Sequence, residues 1–431
     1  MERWQHSAIL VLVFKESSAL ESILRFLKKL IPGPVFRFIQ PFYHKALALT
    51  GAVWYGFPSR GMKIIAITGT KGKSTTVYMT ARVFEACGKK VAAIGSLGFK
   101  ILDREWPNNL HMTMPGRTKL QRFLRRAKDA GVKYVILEAT SEGMAQGRLY
   151  GIPIDCAVLT NIHKEHIESH GGFEQYIEAK RYLFKKTKRI HIINTDNERK
   201  NDFRNIPAKE TYFFGMENGG VNQKELNLKL KLEGDFNIYN ALAALSIAKT
   251  YDLDMERAQE AIEDIDRVAG RMEYIEAGQN FDFIVDYAHT PESLEAVYKI
   301  LKSKNSEFSK LICIFGSDGG GRDTWKRPIM GRIASQYCDE IILTSENPYD
   351  TDPNEIADEI EAGMEERKGL IVKRIIDRDG AMREAIKDAY KGDTIVITGK
   401  GTEDSIVVAD GKKIPWLDSK EAKRAIQDAK V

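Results

Sequence analysis

Met62-Lys-Ile-Ile-Ala-Ile-Thr68-Gly69-Thr70-Lys71-Gly72-Lys73-Ser74-Thr75-Thr76 carries a β-rich apolar run straight into a glycine turn and on into a helical pattern. In that order, glycines let backbone N–H groups wrap a phosphate at the N-terminus of the following helix. Lys73 is then the candidate for the terminal phosphates of ATP, and Ser74 for a magnesium ion. Gly69, Thr70, Lys71, Gly72 and Thr75 complete the loop. Ile67 stands where a standard P-loop carries glycine, and a bare Gly-Lys-Ser also occurs in ordinary βα turns. The strand immediately before the loop favours the phosphate site.

Outward from this stretch, short apolar runs at 91–95, 134–137, 156–160 and 190–194 alternate with helical patterns. A second series, at 283–285, 311–315, 340–344, 371–376 and 394–398, begins near Gly270. The alternation predicts an α/β fold with largely parallel, buried sheets. The expected organisation is a P-loop-type central ATPase unit over 62–269 and a Rossmann-like α/β unit over 270–431. Before them comes a short helical N-terminal segment, 1–61.

The chain has 431 residues, too many for one typical domain. Its four cysteines, Cys87, Cys156, Cys313 and Cys338, form no CxxC pair, so buried free thiols in a reducing cytoplasm are expected. Residues 1–61 hold eight Lys or Arg against three acids and account for the whole formal net charge of +5. The remainder is balanced, which argues against nucleic-acid binding. The apolar run 8–14 is too short to span a bilayer as a helix. Helical spacing follows over 18–31, Pro32-Gly-Pro34 stops it, and a basic, aromatic stretch leads to a boundary at Arg60-Gly61. Two uses of 1–61 stay open: a cap packed on the central unit, or a peripheral anchor at the inner face of an anionic membrane.

Open α/β sheets place ligands beyond the carboxyl ends of their strands. Glu138 ends the run 134–137 and His166 lies just past 156–160, so both are candidates for a second magnesium. Each alone reads as readily as a structural residue.

With these residues in view, the chain resembles the Mur ligases, and among them the enzymes that add the third peptide residue. The segments that carry the likeness are Gly69 to Thr76, Leu137-Glu-Ala-Thr-Ser-Glu-Gly143, Thr160-Asn-Ile-His-Lys-Glu-His166, Glu178-Ala-Lys180-Arg-Tyr-Leu-Phe184, Gly234-Asp-Phe-Asn237-Ile-Tyr-Asn240, Gly270-Arg-Met-Glu273, Val285-Asp-Tyr-Ala-His-Thr-Pro291, Ser345-Glu-Asn-Pro348 and Thr398-Gly-Lys-Gly-Thr-Glu403. They stand in the family's order over roughly 62–420.

The resemblance implies an ATP-dependent ligase that joins a free amino acid to a muramoyl-dipeptide through an acyl phosphate. It implies two magnesium sites held by Ser74, Glu138, His166 and Lys180, the last as a carbamate derived from CO2. Lys73, Glu138, His166 and Lys180 would be the catalytic set. Asn237, Asn240, Arg271 and Asp286 would contact the nucleotide, Thr113, Ser141 and Arg148 the acceptor, and Asn347, Gly399 and Glu403 the incoming amino acid. A monomer is expected.

Several positions depart from the family pattern. About 61 residues stand where the family has a uridine-nucleotide domain, which leaves the acceptor open between a UDP-linked and a lipid-linked or other molecule. Tyr349 stands where members adding meso-diaminopimelate carry an arginine for the distal carboxylate, so a lysine-like amino acid is expected instead. Thr402 replaces a histidine and Met114 the second threonine of the acceptor loop. A non-catalytic nucleotide-binding scaffold is the rival reading from another class.

Overall fold

The computed structural model describes residues 33–108, 112–164, 171–306 and 308–429. The expected helix at 18–31 lies outside them. Helix α1 (Gly33–Trp54) comes first. The aromatic stretch is therefore helical as far as Trp54: a proline fits the first turn of a helix, where its missing N–H costs nothing, and Pro34 stands in the first turn of α1.

Nine strands form the first sheet, in the order β4-β3-β2-β5-β1-β6-β7-β8-β9. They are β1 (Lys63–Thr68), β2 (Val91–Gly95), β3 (Gly98–Ile101), β4 (Arg104–Trp106), β5 (Tyr134–Glu138), β6 (Cys156–Leu159), β7 (Ile190–Asn194), β8 (Glu210–Gly215) and β9 (Val221–Asn222). Only the β2-β3 and β3-β4 pairs are antiparallel. Central β1 shows the period of two: Ile64 and Ala66 enter one core, and Ile65 and Ile67 the other. On one face pack α3 (Arg117–Asp129) and α4 (Phe173–Lys186), through Phe123, Leu124, Leu183 and Phe184. On the other lie α2 (Lys73–Ala86) and α5 (Asp235–Thr250), whose Val77, Phe84, Leu242 and Leu245 are buried.

The second sheet runs β10-β11-β15-β12-β13-β14. Its strands are β10 (Glu273–Tyr274), β11 (Asp282–Val285), β12 (Leu311–Phe315), β13 (Glu340–Leu343), β14 (Ile371–Arg374) and β15 (Thr394–Ile397). All pairs but β10-β11 are parallel. The α/β architecture with mostly parallel sheets is thus as expected from the sequence.

The cysteine expectation needs a correction. Cys313 on β12 and Cys338, just ahead of β13, are joined by a disulfide with Cα atoms 6.1 Å apart, and both are fully buried. A helical crossover returns the chain to the neighbouring parallel strand, so residues distant in sequence become side-by-side partners. Cys87 and Cys156 remain thiols, and burial pushes Cys156 well above the usual thiol range. No helix among the described residues is long and apolar enough to cross a membrane.

Candidate active site

β1 lies between β5 and β6 at the centre of its sheet, and the loop 69–72 leaves its carboxyl end. Gly69 and Gly72 have φ of +153° and +78°. A Cβ on Gly69 would stand 1.9 Å from Thr160 Oγ1, and one on Gly72 2.1 Å from Asn240 Oδ1. Only glycine fits either place. The segment after β6 braces the loop: Asn161 O accepts from Thr70 N (2.9 Å), Asn161 Oδ1 from Lys71 N (2.8 Å), and Thr160 Oγ1 donates to Lys71 O (2.7 Å). Helix α2 then begins at Lys73 with no side-chain cap and no acid in its first turn. Such an N-terminus offers free N–H groups and positive dipole to an anion. The Lys73 ammonium folds over the loop to Thr70 O at 2.8 Å.

Glu138, at the end of β5, is 2 % exposed and faces the start of α2. Ser74 Oγ donates to its Oε1 at 3.1 Å, and Ser96 N to its Oε2 at 2.8 Å. A serine hydroxyl beside a carboxylate is an oxygen donor set suited to magnesium. Among the described residues, no three His, Cys, Asp or Glu side chains cluster as a metal site. Of the residues expected to hold magnesium, Ser74 and Glu138 meet here. His166 lies outside the described residues, within 165–170. The chain leading to it is anchored at the loop, where His163 N donates to Thr70 Oγ1 at 2.9 Å.

Lys180, on the buried face of α4, is 2 % exposed. Its Nζ donates to Gly69 O at 2.7 Å and sits 4.4 Å from the centre of the Tyr176 ring. Tyr176 Oη in turn lies 2.9 Å from Thr70 Oγ1. The lysine thus ends at the phosphate loop.

Acceptor candidates line the next part of the same wall. Thr113 Oγ1 lies 2.9 Å from Ser96 Oγ, and Ser141 opens the short helix after β5. Arg148 donates to the Met114 carbonyl and to Gln146 Oε1. Asn240 Oδ1 accepts from Thr76 Oγ1 (3.3 Å) and Asn240 Nδ2 donates to Asn237 Oδ1 (3.3 Å), so both asparagines stand on α5 behind the phosphate loop.

In the second sheet, Asp286 accepts from Met272 N and Ala288 N, each at 2.7 Å. Burial raises its pKa, opposed by the charge of Arg271. The Arg271 guanidinium lies 4.4 Å from the centre of the Tyr287 ring. Beyond the ends of β13 and β15, Asn347 Nδ2 donates to Glu403 Oε2 (3.1 Å) and to Asp318 Oδ1 (3.0 Å). Lys400 Nζ bridges Asn347 Oδ1 and Glu403 Oε2, both at 2.9 Å. Glu346 packs on Gly399, where a Cβ would come within 2.5 Å of its Oε2. Burial and then the Asp318 charge push Glu346 up to about 8, against the pull of Lys326, Lys400 and Arg378. Tyr349, at φ +52°, carries the Arg322 guanidinium 4.6 Å from its ring centre.

Known proteins resemble this chain over both units. The Mur ligase middle domain matches residues 67–248, and the Mur ligase glutamate ligase domain residues 270–401. The UDP-N-acetylmuramyl-tripeptide synthetase of Roseiflexus sp. (strain RS-1) is 35% identical over 436 residues, covering 92% of this chain and 84% of the relative. The chain belongs to the Mur ligase family. A solved UDP-N-acetylmuramoyl-L-alanyl-D-glutamate--2,6-diaminopimelate ligase is 31% identical, with TM-score 0.57, over 86% of this chain and 80% of that one. The MurF ligase of Thermotoga maritima, solved in complex with ADP, shares the fold at TM-score 0.60 and 16% identity, over 90% and 82% of the two chains.

For a Mur ligase, several residues at these sites carry no spacing signal in the sequence. Ser96 and Asp318 are brought in by the fold alone, and Lys400, though inside a quoted segment, gains its bridging place only from the fold. Ser96 follows Gly95, where a Cβ would stand 2.6 Å from Glu138 Oε2, a closeness that a single sequence does not disclose.

Proposed function

We propose that this Mur ligase catalyses an ADP-forming step of peptidoglycan precursor synthesis, adding the third amino acid to a muramoyl-dipeptide in the cytoplasm. The observation that carries the reading is the convergence of Lys73, Ser74, Glu138 and Lys180 on one phosphate loop. A scaffold that only binds nucleotide has no use for a buried lysine and a buried carboxylate at that point.

In this reading an acceptor carboxylate oxygen attacks the γ-phosphorus of ATP and the bond to ADP breaks, giving an acyl phosphate. The amine of the amino acid, having lost a proton, attacks the acyl carbon; the tetrahedral intermediate expels phosphate and leaves the amide. Lys73 and the N–H groups of α2 hold the transferring phosphoryl group, and Glu138 keeps Ser74 oriented. Magnesium, held by Ser74, Glu138, His166 and a Lys180 carbamate, would neutralise the charge that keeps a carboxylate from a triphosphate. Thr113, Ser141 and Arg148 face the acceptor. Asn237, Asn240, Arg271 and Asp286 bound the nucleotide from the 62–269 and 270–431 units.

Asn347, Gly399 and Glu403 receive the amino acid. The ring of Tyr349 and the acids Asp318, Glu346 and Glu403 suit a cationic side chain, as in lysine, better than a second carboxylate. Transfer of ¹⁸O from a labelled acceptor carboxylate to released phosphate tests the acyl phosphate. Label retained wholly in the product sinks it.

Membrane contact through 1–61 is a second reading, supported by Leu49, Val53 and Trp54, which are 43%, 58% and 45% exposed on α1. Flotation with anionic liposomes, lost on deleting 1–61, would support it; unchanged flotation would remove it.

A further inference from the structure

A run of hydrogen bonds leads from the phosphate loop toward α1. Ser74 joins Glu138, Glu138 joins Ser96, Ser96 joins Thr113, and the carbonyl of the next residue, Met114, takes Arg148. At its far end stand two guanidiniums sharing one residue. Arg148 Nε and Nη2 donate to Gln146 Oε1 at 3.2 and 2.8 Å, while Arg117 Nε and Nη2, from the first residue of α3, donate to Gln146 O at 3.1 and 2.6 Å. Among the described residues, neither is ion-paired with a carboxylate; the Glu142 charge acts on Arg148 without offsetting the burial that lowers its pKa. Burial, and then the charge of Arg148, pulls Arg117 below its usual pKa.

Facing them is His44 of α1, lying over Gly147, where a Cβ would be 3.9 Å from the His44 Cβ. Its Nδ1 and Nε2 are both out of water, and among the described residues neither has a hydrogen-bond partner. Burial, with Arg117 and Arg148, lowers the ring to about 4, so it is neutral near pH 7. Buried polar atoms are normally partnered, and half-buried cations normally have a counter-charge. All the groups missing from this corner are supplied by one ligand type, a multivalent oxyanion that accepts from forked guanidiniums and from a protonated imidazole.

We propose that Arg117, Arg148 and His44 form an anion subsite for a phosphoryl or diphosphoryl group on the acceptor, with α1 as one wall. The proposal rests on the reading that Thr113, Ser141 and Arg148 face the acceptor. That acceptor then lies along the wall, its reacting carboxylate at Ser74 and Glu138 and its anionic linkage beside α1. Arg117 and His44 act in binding, and neither touches the reacting atoms.

The first test uses inorganic pyrophosphate with a Lys73→Ala chain, so that the phosphate loop does not compete, while the His44 imidazole is followed by NMR. A saturable shift is expected, with the His44 pKa rising from about 4, since a bound anion favours the charged ring. Arg117→Ala should abolish the shift and Arg117→Lys retain part of it, with thermal melts confirming that both fold. No saturable shift, or the same shift in Arg117→Ala, overturns the proposal.

The second test compares muramoyl-dipeptide with and without its phosphoryl linkage, carried either by UDP or by a lipid diphosphate in micelles. The intact chain should bind one phosphorylated form at least about tenfold more tightly than the bare dipeptide, and Arg117→Ala should bring that ratio near one. An equal loss for bare and phosphorylated acceptors marks a merely structural arginine and also overturns it. If pyrophosphate binds at His44 and no acceptor binds at all, the ligase reading fails while the anion subsite stands.

Discussion

At Glu346 a carboxyl group is buried against Gly399, with Oε2 out of water and without a hydrogen-bond partner among the described residues. Desolvation penalises its charge more than Lys326, Lys400 and Arg378 favour it, which is why it stays protonated up to about pH 8. The folded state therefore holds this proton more tightly than the unfolded chain does. Its contribution to stability is complete below the usual carboxyl value of 4.5 and is lost as pH rises toward 8. Glu346→Gln should flatten the fall in melting temperature over that window; an unaltered pH profile would show that Glu346 is ionised throughout. A cationic amino acid bound nearby favours the carboxylate, so its binding at pH 7 should release protons in calorimetry run in buffers of different ionisation enthalpy.

Lys180 allows an equally direct test. Its Nζ is held at the Gly69 carbonyl, at the phosphate loop. Lys180→Ala should lower kcat by roughly 100-fold or more, the scale of removing a preorganised charge-stabilising group. Stripping bicarbonate should slow the intact enzyme and leave Lys180→Ala unchanged. Activity indifferent to bicarbonate in the intact enzyme would rule out the carbamate.

Among the elements, the β1 turn and the start of α2 are set by Gly72. Its φ of +78° and the nearness of Asn240 Oδ1 leave no room for a side chain. Gly72→Ala should cost about 1–3 kcal/mol of stability and abolish nucleotide binding. Adding Asn240→Ala should return part of the stability, since it relieves the contact and not the backbone strain; full recovery would mean that the positive φ is unstrained.

What the sequence disclosed follows the same physics. Strands buried on both faces, such as β1, β2, β7 and β12, are continuous apolar runs and were legible as they stand. β3 and the edge strands β4 and β9 are short and partly polar, so they gave no such run. Helix α1 was hidden by reading Pro32 and Pro34 as a stop, and the Cys313–Cys338 pairing by a crossover that spacing does not reveal. At the candidate site, Lys73 and Ser74 follow from the spacing of the loop and Glu138 from the end of its strand. Lys180 and Asn240 are unremarkable helix residues until resemblance singles them out, and Arg117 and His44 gain meaning only once α1 is seen against Gly147.

For the whole molecule, the 62–269 and 270–431 units touch at Glu233, which accepts from Tyr274 Oη at 3.2 Å and pairs with Lys304. The phosphate loop lies with the first sheet and the Asn347–Glu403 cluster with the second, so the proposed reaction would need both at one substrate. The most direct test is phosphate release from ATP with magnesium and bicarbonate, supplying muramoyl-dipeptide, UDP-linked or lipid-linked, and amino acids one at a time, with mass detection of the product. Release that requires one lysine-like amino acid, matched by the mass of the corresponding tripeptide, is the predicted result. Binding of ATP with no product from any combination would contradict a ligase and leave a nucleotide-binding scaffold.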